Sequence, residues 1–197
     1  MPNNGDTISP RAADLLPSPS AISLPQVMDV SIRQAMSQDI NLVSSILCEA
    51  VRWQAESGMA MWREDEVLPA RVAPDVASGL FFLADCDGEA AGTVKFQLED
   101  PVIWFDLPDQ QDSAFIHRLA VRRRFAGGAV SPVILRWAVE RTRSLNRRYL
   151  RLDCDAARPR LRAVYERFGF VHHSDKQIGP FFVARYEYDV LKSAQES

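Results

Sequence analysis

The stretch from Phe115 to Phe170 leaves few folds open. Phe115 to Val121 alternates as a strand, and the basic, glycine-bearing turn Arg122-Arg-Arg-Phe-Ala-Gly-Gly-Ala129 comes next. A helix is expected from Pro132 to about Asn146. Ser131 is placed to cap it, and Pro132 suits the first helical position, where its missing N–H costs nothing. Ile134, Trp137, Ala138 and Arg141 then share one face. Tyr149 to Cys154 reads as a strand. Arg158 to Phe168 reads as a short helix with Leu161, Val164, Tyr165 and Phe168 on its inner stripe, and Gly169 is its C-cap. A turn that runs into a helix N-terminus presents unpaired backbone N–H groups and the positive end of a dipole, which together make an anion site.

The flanking segments fit one mixed domain. Val30 to Ala35 is a short strand. Ser37 is expected to open a helix whose apolar positions include Val43, Ile46, Leu47 and Val51, and which ends at Glu56-Ser-Gly58. A second helix is expected from Glu64 to about Val72, with Pro74 and Gly79 punctuating the segment after it. Leu80 to Asp85 and Ala91 to Leu98 form a hairpin through Asp87-Gly88. Pro101 to Asp112 is a turn-rich connection holding Trp104. Residues 170–176 and 181–190 form a last strand pair, and the second of these is a candidate sheet edge for pairing with a second copy. The order β α α β β β α β α β β is that of an α+β domain.

Composition bounds the rest. The 197 residues, 47% apolar and 25% charged, suit one soluble domain. Residues 29–191 are read as that domain. Residues 1–28 hold five of the twelve prolines and read as a disordered tail, and 192–197 as a short C-terminal one. The longest apolar run, Leu80 to Ala84, falls far short of the ~20 residues of a spanning helix. A cytoplasmic protein without membrane contact is expected. Cys48, Cys86 and Cys154 are scattered and odd in number, which argues for buried thiols over disulfides or zinc. His172-His173 has no ligand partner at metal spacing, so no metal is expected. The net charge of −3 hides an asymmetry: residues 118–167 hold fourteen arginines against four acids. That patch suggests an anionic ligand there and a cationic one near the acidic remainder.

The run His117-Arg-Leu-Ala-Val121, the turn to Ser131, Leu150-Arg-Leu-Asp-Cys154 and Leu161-Arg-Ala-Val-Tyr-Glu-Arg-Phe-Gly-Phe170 together resemble the GCN5-related N-acetyltransferase (GNAT) superfamily. Gly58-Met-Ala-Met-Trp62 and Asp100-Pro-Val-Ile-Trp104 resemble a bacterial subgroup of it more weakly. The resemblance spans about residues 29–190. It implies a mixed, mostly antiparallel sheet flanked by helices and splayed at a coenzyme site, with acetyl-coenzyme A as co-substrate and a primary amine of a small molecule as acceptor. The family's phosphate loop maps onto Ala126, Gly127, Gly128, Ala129, Val130 and Ser131. Ala126 replaces the usual Gln or Arg, Ala129 replaces a Gly, and Ser131 replaces the last small residue. If the loop needs positive φ at Ala129, it is distorted; Gly127 and Gly128 are the alternatives for the bend. Arg158 stands where many relatives carry an Asn that bonds the pantetheine arm, and a coenzyme phosphate is its alternative partner.

The resemblance also implies roles. The backbone N–H near Leu119 meets the oxyanion, with Ala120 and Val121 continuing the coenzyme strand. Tyr165 protonates the leaving thiolate. His117, two residues before Leu119 on the same strand face, is the candidate base; a core histidine is the competing reading. Glu99, Asp100 and Asp106 are rival acids that attract a cationic substrate. Trp62 and Trp104 are candidate walls for the acceptor. Two other functions stay open. One is a non-catalytic GNAT-like module with a degenerate phosphate loop that binds an acyl-coenzyme A or interacts with a protein. The other is a nucleic-acid binder using the arginines, disfavoured by the acidic chain. A homodimer is also open.

Overall fold

The structure, a computed structural model, describes residues 29–192 apart from 60 and 109. The tail expected over 1–28 and all but the first residue of that over 192–197 lie outside the described residues. The elements run in the expected order: β1 (Val30–Gln34), α1 (Ile40–Glu56), α2 (Pro69–Ala77), β2 (Phe81–Cys86), β3 (Glu89–Gln97), β4 (Ser113–Val121), α3 (Val130–Ser144), β5 (Tyr149–Asp155), α4 (Pro159–Phe168), β6 (Val171–Ile178) and β7 (Phe181–Asp189). They build one seven-stranded sheet in the order β1-β2-β3-β4-β5-β7-β6. Neighbours pair antiparallel except β4 with β5, which run parallel.

Strand alternation divides the core into two layers. On β2, Phe81 and Leu83 pack with Val43, Ile46 and Leu47 of α1 and Val72 and Val76 of α2. Ala84 faces the other way, into a larger cluster with Ile134, Leu135 and Ala138 of α3 and with Leu150 and Leu152 of β5. Tyr165 of α4 belongs to this second layer. The β2–β3 turn matches its sequence. Asp87 and Gly88 have φ of 51° and 81°, the paired left-handed geometry of a two-residue hairpin. Gly169 ends α4 at φ 113°.

Four expectations are corrected. The first helix is set by Asp39, not Ser37. The Asp39 carboxylate accepts the Met36 N–H at 2.9 Å and a two-pronged bond from Arg33 at 2.8 and 3.0 Å, and a 3-10 turn over Ser37–Asp39 leads into α1. The second helix starts at Pro69, because Glu64–Glu66 forms a separate 3-10 turn and Pro69 supplies a ready-made first position; Pro74 lies inside it. The third helix begins at Val130 with Ala129 as its cap residue, so Ser131 lies within the first turn. β7 is interior, flanked by β5 and β6, so the sheet edges are β1 and β6. Of the three thiols, Cys86 and Cys154 are buried and Cys48 only partly so.

The connection around Trp104 is held to the sheet by charged side chains. Trp104 is fully buried, with the guanidiniums of Arg151 and Arg185 5.4 and 4.8 Å from its ring centroid. Arg151 donates to Glu187 at 2.6 Å, and Arg185 to Asp106 at 2.6 Å. Gln110 donates to the Trp104 carbonyl at 2.8 Å. This arrangement ties the connection to β5 and β7. Trp104→Ala removes the buried ring against which those two arginines pack and is expected to cost about 3–5 kcal/mol in urea unfolding. A loss below about 1 kcal/mol would show that the connection is not packed as described.

Candidate active site

The site exists because one strand pairing stops early. β4 and β5 pair from Ser113 opposite Tyr149 to Ile116 opposite Leu152, and both strands then continue unpaired with each other. On its other side β4 bulges. Ala120 faces Thr93 and His117 faces Lys95, so β4 spends one more residue than β3 over this span. Arg118 absorbs the bulge in left-handed backbone at φ 52°. A cleft of about 480 Å³ opens where the strands part. His117, Arg118, Leu119, Ala120 and Val121 line it from β4, Asp153 and Cys154 from β5, and Arg158 and Tyr165 from the α4 end.

His117 lies between two carboxylates. Its Nε2 is 3.1 Å from Asp100 Oδ2 and its Nδ1 is 3.2 Å from Asp153 Oδ1. The Nε2 contact is off-line, a close ion contact more than an aligned hydrogen bond. Burial opposes a charge on the ring, but the two carboxylates outweigh it and raise its pKa to about 9. His117 therefore carries its proton at neutral pH. Burial also opposes the charge on Asp100, but His117 and the N–H groups of Ile103 and Val102 hold that acid below its ordinary range.

Tyr165 is buried, and burial pushes its phenol well above the ordinary range, so it stays protonated. Its hydroxyl makes no hydrogen bond among the described residues. The neighbouring Cys154 thiol is pushed up to about 12 by burial and is unreactive. Arg158 precedes α4 and is buried. Its Nε stands 3.7 Å from Asp155, and its Nε and Nη2 have no hydrogen-bond acceptor.

The loop after β4 is anchored to α1. Glu49 accepts from the Arg122 side chain at 2.8 Å and from the Arg123 N–H at 2.7 Å, while the Arg123 guanidinium lies 4.4 Å from the Trp53 ring centroid. The loop's positive φ falls at Gly127, at 79°, whereas Ala129 is right-handed at φ −74° and ψ −17°. The Ala129 substitution therefore demands no strained backbone. A helix that starts at Val130 leaves the N–H groups of Ala129, Val130 and Ser131 without intrahelical partners, a cradle for an anion. Ala126, Gly127 and Gly128 are exposed beside it. Residues 126–131 lie outside the lining of the main cleft.

The expected residues thus fall into three groups. His117, Leu119, Ala120, Val121, Arg158, Tyr165 and Trp62 meet in the cleft. The 126–131 loop lies beyond it. Trp104 is a correction: fully buried against two arginines, it is no wall for an acceptor. Sequence reasoning missed Asp153 and Arg118. The signal for Asp153 was available, since a carboxylate between the buried Leu152 and Cys154 in a strand needs a partner. No group of three His, Cys, Asp or Glu suited to a metal occurs among the described residues. No described helix is long and apolar enough to cross a membrane.

The two carboxylates make the His117 ring an unusually strong base. Its titration by NMR is expected to show a pKa near 9, and Asp153→Asn, which removes one negative neighbour, moves it down. A value at or below the ordinary 6.5 would show that the two carboxylates do not govern the ring.

The comparisons with known proteins agree with the splayed sheet. The acetyltransferase (GNAT) family model matches residues 47–170. The N-acetyltransferase YesJ of Bacillus subtilis is 28% identical over 144 residues, which cover 69% of this chain and 78% of that protein. A GNAT-family acetyltransferase from Listeria monocytogenes superposes with a TM-score of 0.65 at 23% identity, covering 81% of this chain and 95% of that one. The acetyltransferase yncA of Salmonella typhimurium, solved with acetyl-CoA, superposes with a TM-score of 0.64 at 13% identity, covering 82% and 94%. With its sheet order, its early-ending parallel pair and this match, the chain belongs to the GNAT family of acetyltransferases, enzymes that draw their acetyl group from acetyl-coenzyme A.

Proposed function

We propose that the protein moves an acetyl group from acetyl-coenzyme A to a primary amine of a small molecule, by direct attack of the amine on the thioester, with Tyr165 as general acid. The observation that carries this reading is the state of Tyr165. It is a protonated phenol with no hydrogen-bond partner among the described residues, in the cleft that Leu119 also lines. A thioester carbonyl placed between the parted strands meets the backbone N–H near Leu119, which stabilises the oxyanion. The sulfur then leaves toward Tyr165. Burial holds the phenolic proton tightly, so the hydroxyl acts chiefly by donating a hydrogen bond as charge grows on the sulfur.

The coenzyme's remaining contacts are assigned to Ala120 and Val121 along the strand, to the 126–131 loop for the pyrophosphate, and to Arg158. The free N–H groups of Arg158 suit a phosphate or an arm carbonyl. Trp62, half-buried at the cleft, borders the acceptor side. His117 accepts the amine's proton once its own has left. The histidine is protonated below a pKa of about 9, so the reading requires kcat/KM to climb with pH toward that value.

Two experiments test it. Tyr165→Phe keeps the ring and deletes the hydroxyl; thiol release from acetyl-coenzyme A with an amine panel is expected to fall about 100-fold in kcat, with coenzyme binding retained. Unchanged turnover would remove Tyr165 from the chemistry. His117→Gln is expected to abolish the alkaline rise of the rate profile. A rise that survives the substitution would transfer the base role to another group.

A further inference from the structure

The charges of the cleft point to what its acceptor carries. Its four carboxylates are already engaged by cations of the protein. Glu66 faces Arg118 at 3.4 Å, Asp75 holds Lys95 at 2.7 Å, and Asp100 and Asp153 share His117. Among the lining cations Arg71 and Arg123 have no ion pair among the described residues, and Arg158 has only Asp155 at 3.7 Å. Arg71, Arg123 and Arg158 also line the cleft, so six positive groups stand against four negative ones when His117 is charged. The excess of two answers to the coenzyme's phosphates, so on the acceptor side the cations are told apart by how they are bonded and not by their number. Arg158 and the Arg123 that borders the phosphate loop lie on the coenzyme side.

Arg118 and Arg71 remain, on the side of the residues around Trp62 and α2. Arg118 is the less satisfied. Its Nη1 is buried with no acceptor, and its Nη2 reaches Glu66 only at 3.4 Å. The Trp62 ring, 5.3 Å from its guanidinium carbon, supports the group by stacking without using its donors. A guanidinium so weakly bonded needs only rotation of its terminal torsions to meet an anion in the cleft, and buried donors without acceptors are costly until they do. Arg71 is exposed on α2 at the rim and has no ion pair or hydrogen bond among the described residues.

We propose that the acetyl acceptor bears an anionic group, a carboxylate or a phosphonate, beside its primary amine, and that Arg118 receives this group with Arg71 at the entrance. The inference rests on the acetyl-transfer reading above and narrows its substrate class. It runs against the sequence-based expectation that Glu99, Asp100 and Asp106 attract a cationic substrate. The four carboxylates that line the cleft serve His117, Arg118 and Lys95, so a polyamine finds no unpaired one among them. The apolar side chains of Met61, Trp62, Val102 and Phe181 on the same cleft suit a modest apolar body.

The test uses matched acceptors: leucine, phenylalanine and 2-aminoethylphosphonate against leucinamide, phenylalaninamide and ethanolamine, with spermidine as the polycation. Thiol release should favour the anionic member of at least one pair by roughly 10-fold or more in kcat/KM, the scale of one charge-assisted contact. The amides carry the less basic amine, so nucleophile availability alone would favour them. Arg118→Met and Arg71→Gln should each shrink the preference through KM for the anionic compound, leaving KM for its neutral partner in place. Arg71 is exposed, so its variant reads the charge effect even where Arg118→Met disturbs the bulge. A preference for neutral partners or spermidine, or one unchanged in both variants, overturns the inference while leaving acetyl transfer standing. If no amine is acetylated, the transfer reading fails and calorimetry of the same compounds on coenzyme A-saturated protein decides. Tighter binding of anionic partners that Arg71→Gln weakens upholds the inference; equal or absent binding overturns it.

Discussion

The parallel pairing of β4 with β5, and its end at Ile116 opposite Leu152, is the constraint on which the structure depends. A parallel pair needs a crossover, and α3 supplies it, packing Ile134, Leu135 and Ala138 onto the sheet. Had the pairing continued, His117 to Val121 would have been bonded across to Asp153 and beyond. Instead the bulge at Arg118 turns β4 away, and the strand offers its residues to a cleft. The same crossover places the start of α3 just after the free length of β4. The gap and the anion cradle are thus consequences of one topological choice.

Charge pairing completes the frame. The arginine-rich segment, which looks like a bare basic patch in the sequence, is partly paired with acids from elsewhere in the chain. Arg122 meets Glu49, Arg124 meets Glu89, Arg148 meets Asp189 and Arg151 meets Glu187. These contacts join α1 and the β2–β3 hairpin to the phosphate-loop side, and β7 to β5. Most of them sit partly in solvent and contribute little each to stability. Their larger effect is to set apart the cleft guanidiniums of Arg118 and Arg158, whose buried N–H groups lack acceptors.

Much of this was legible from residue pattern. The order of elements, the Asp87-Gly88 hairpin and the Gly169 cap arise from alternation, helical period and turn chemistry, which are local signals, whereas the convergence of Leu119 and Tyr165 was implied only by the family resemblance. Boundaries set by tertiary contacts were not legible. Asp39 displaces Ser37 at the first helix because Arg33, on a different element, grips it. Trp104 stands as a candidate pocket wall in the sequence, and only its full burial beside Arg151 and Arg185 makes it a core residue. The doubt over Ala129 was a question of φ, and the fold answers it by bending at Gly127. The His117 site was half visible: the histidine stands out, but its partners Asp100 and Asp153 lie 17 residues before it and 36 after it in the sequence.

The central claim is that the free stretch of β4 and the start of α3 form one coenzyme site. Backbone amide NMR during titration with acetyl-coenzyme A tests it most directly. The account predicts saturable, one-to-one shifts at Leu119 and at Ala129, Val130 and Ser131 together, with the same midpoint. Binding that moves neither set, or no binding at millimolar ligand, would contradict it.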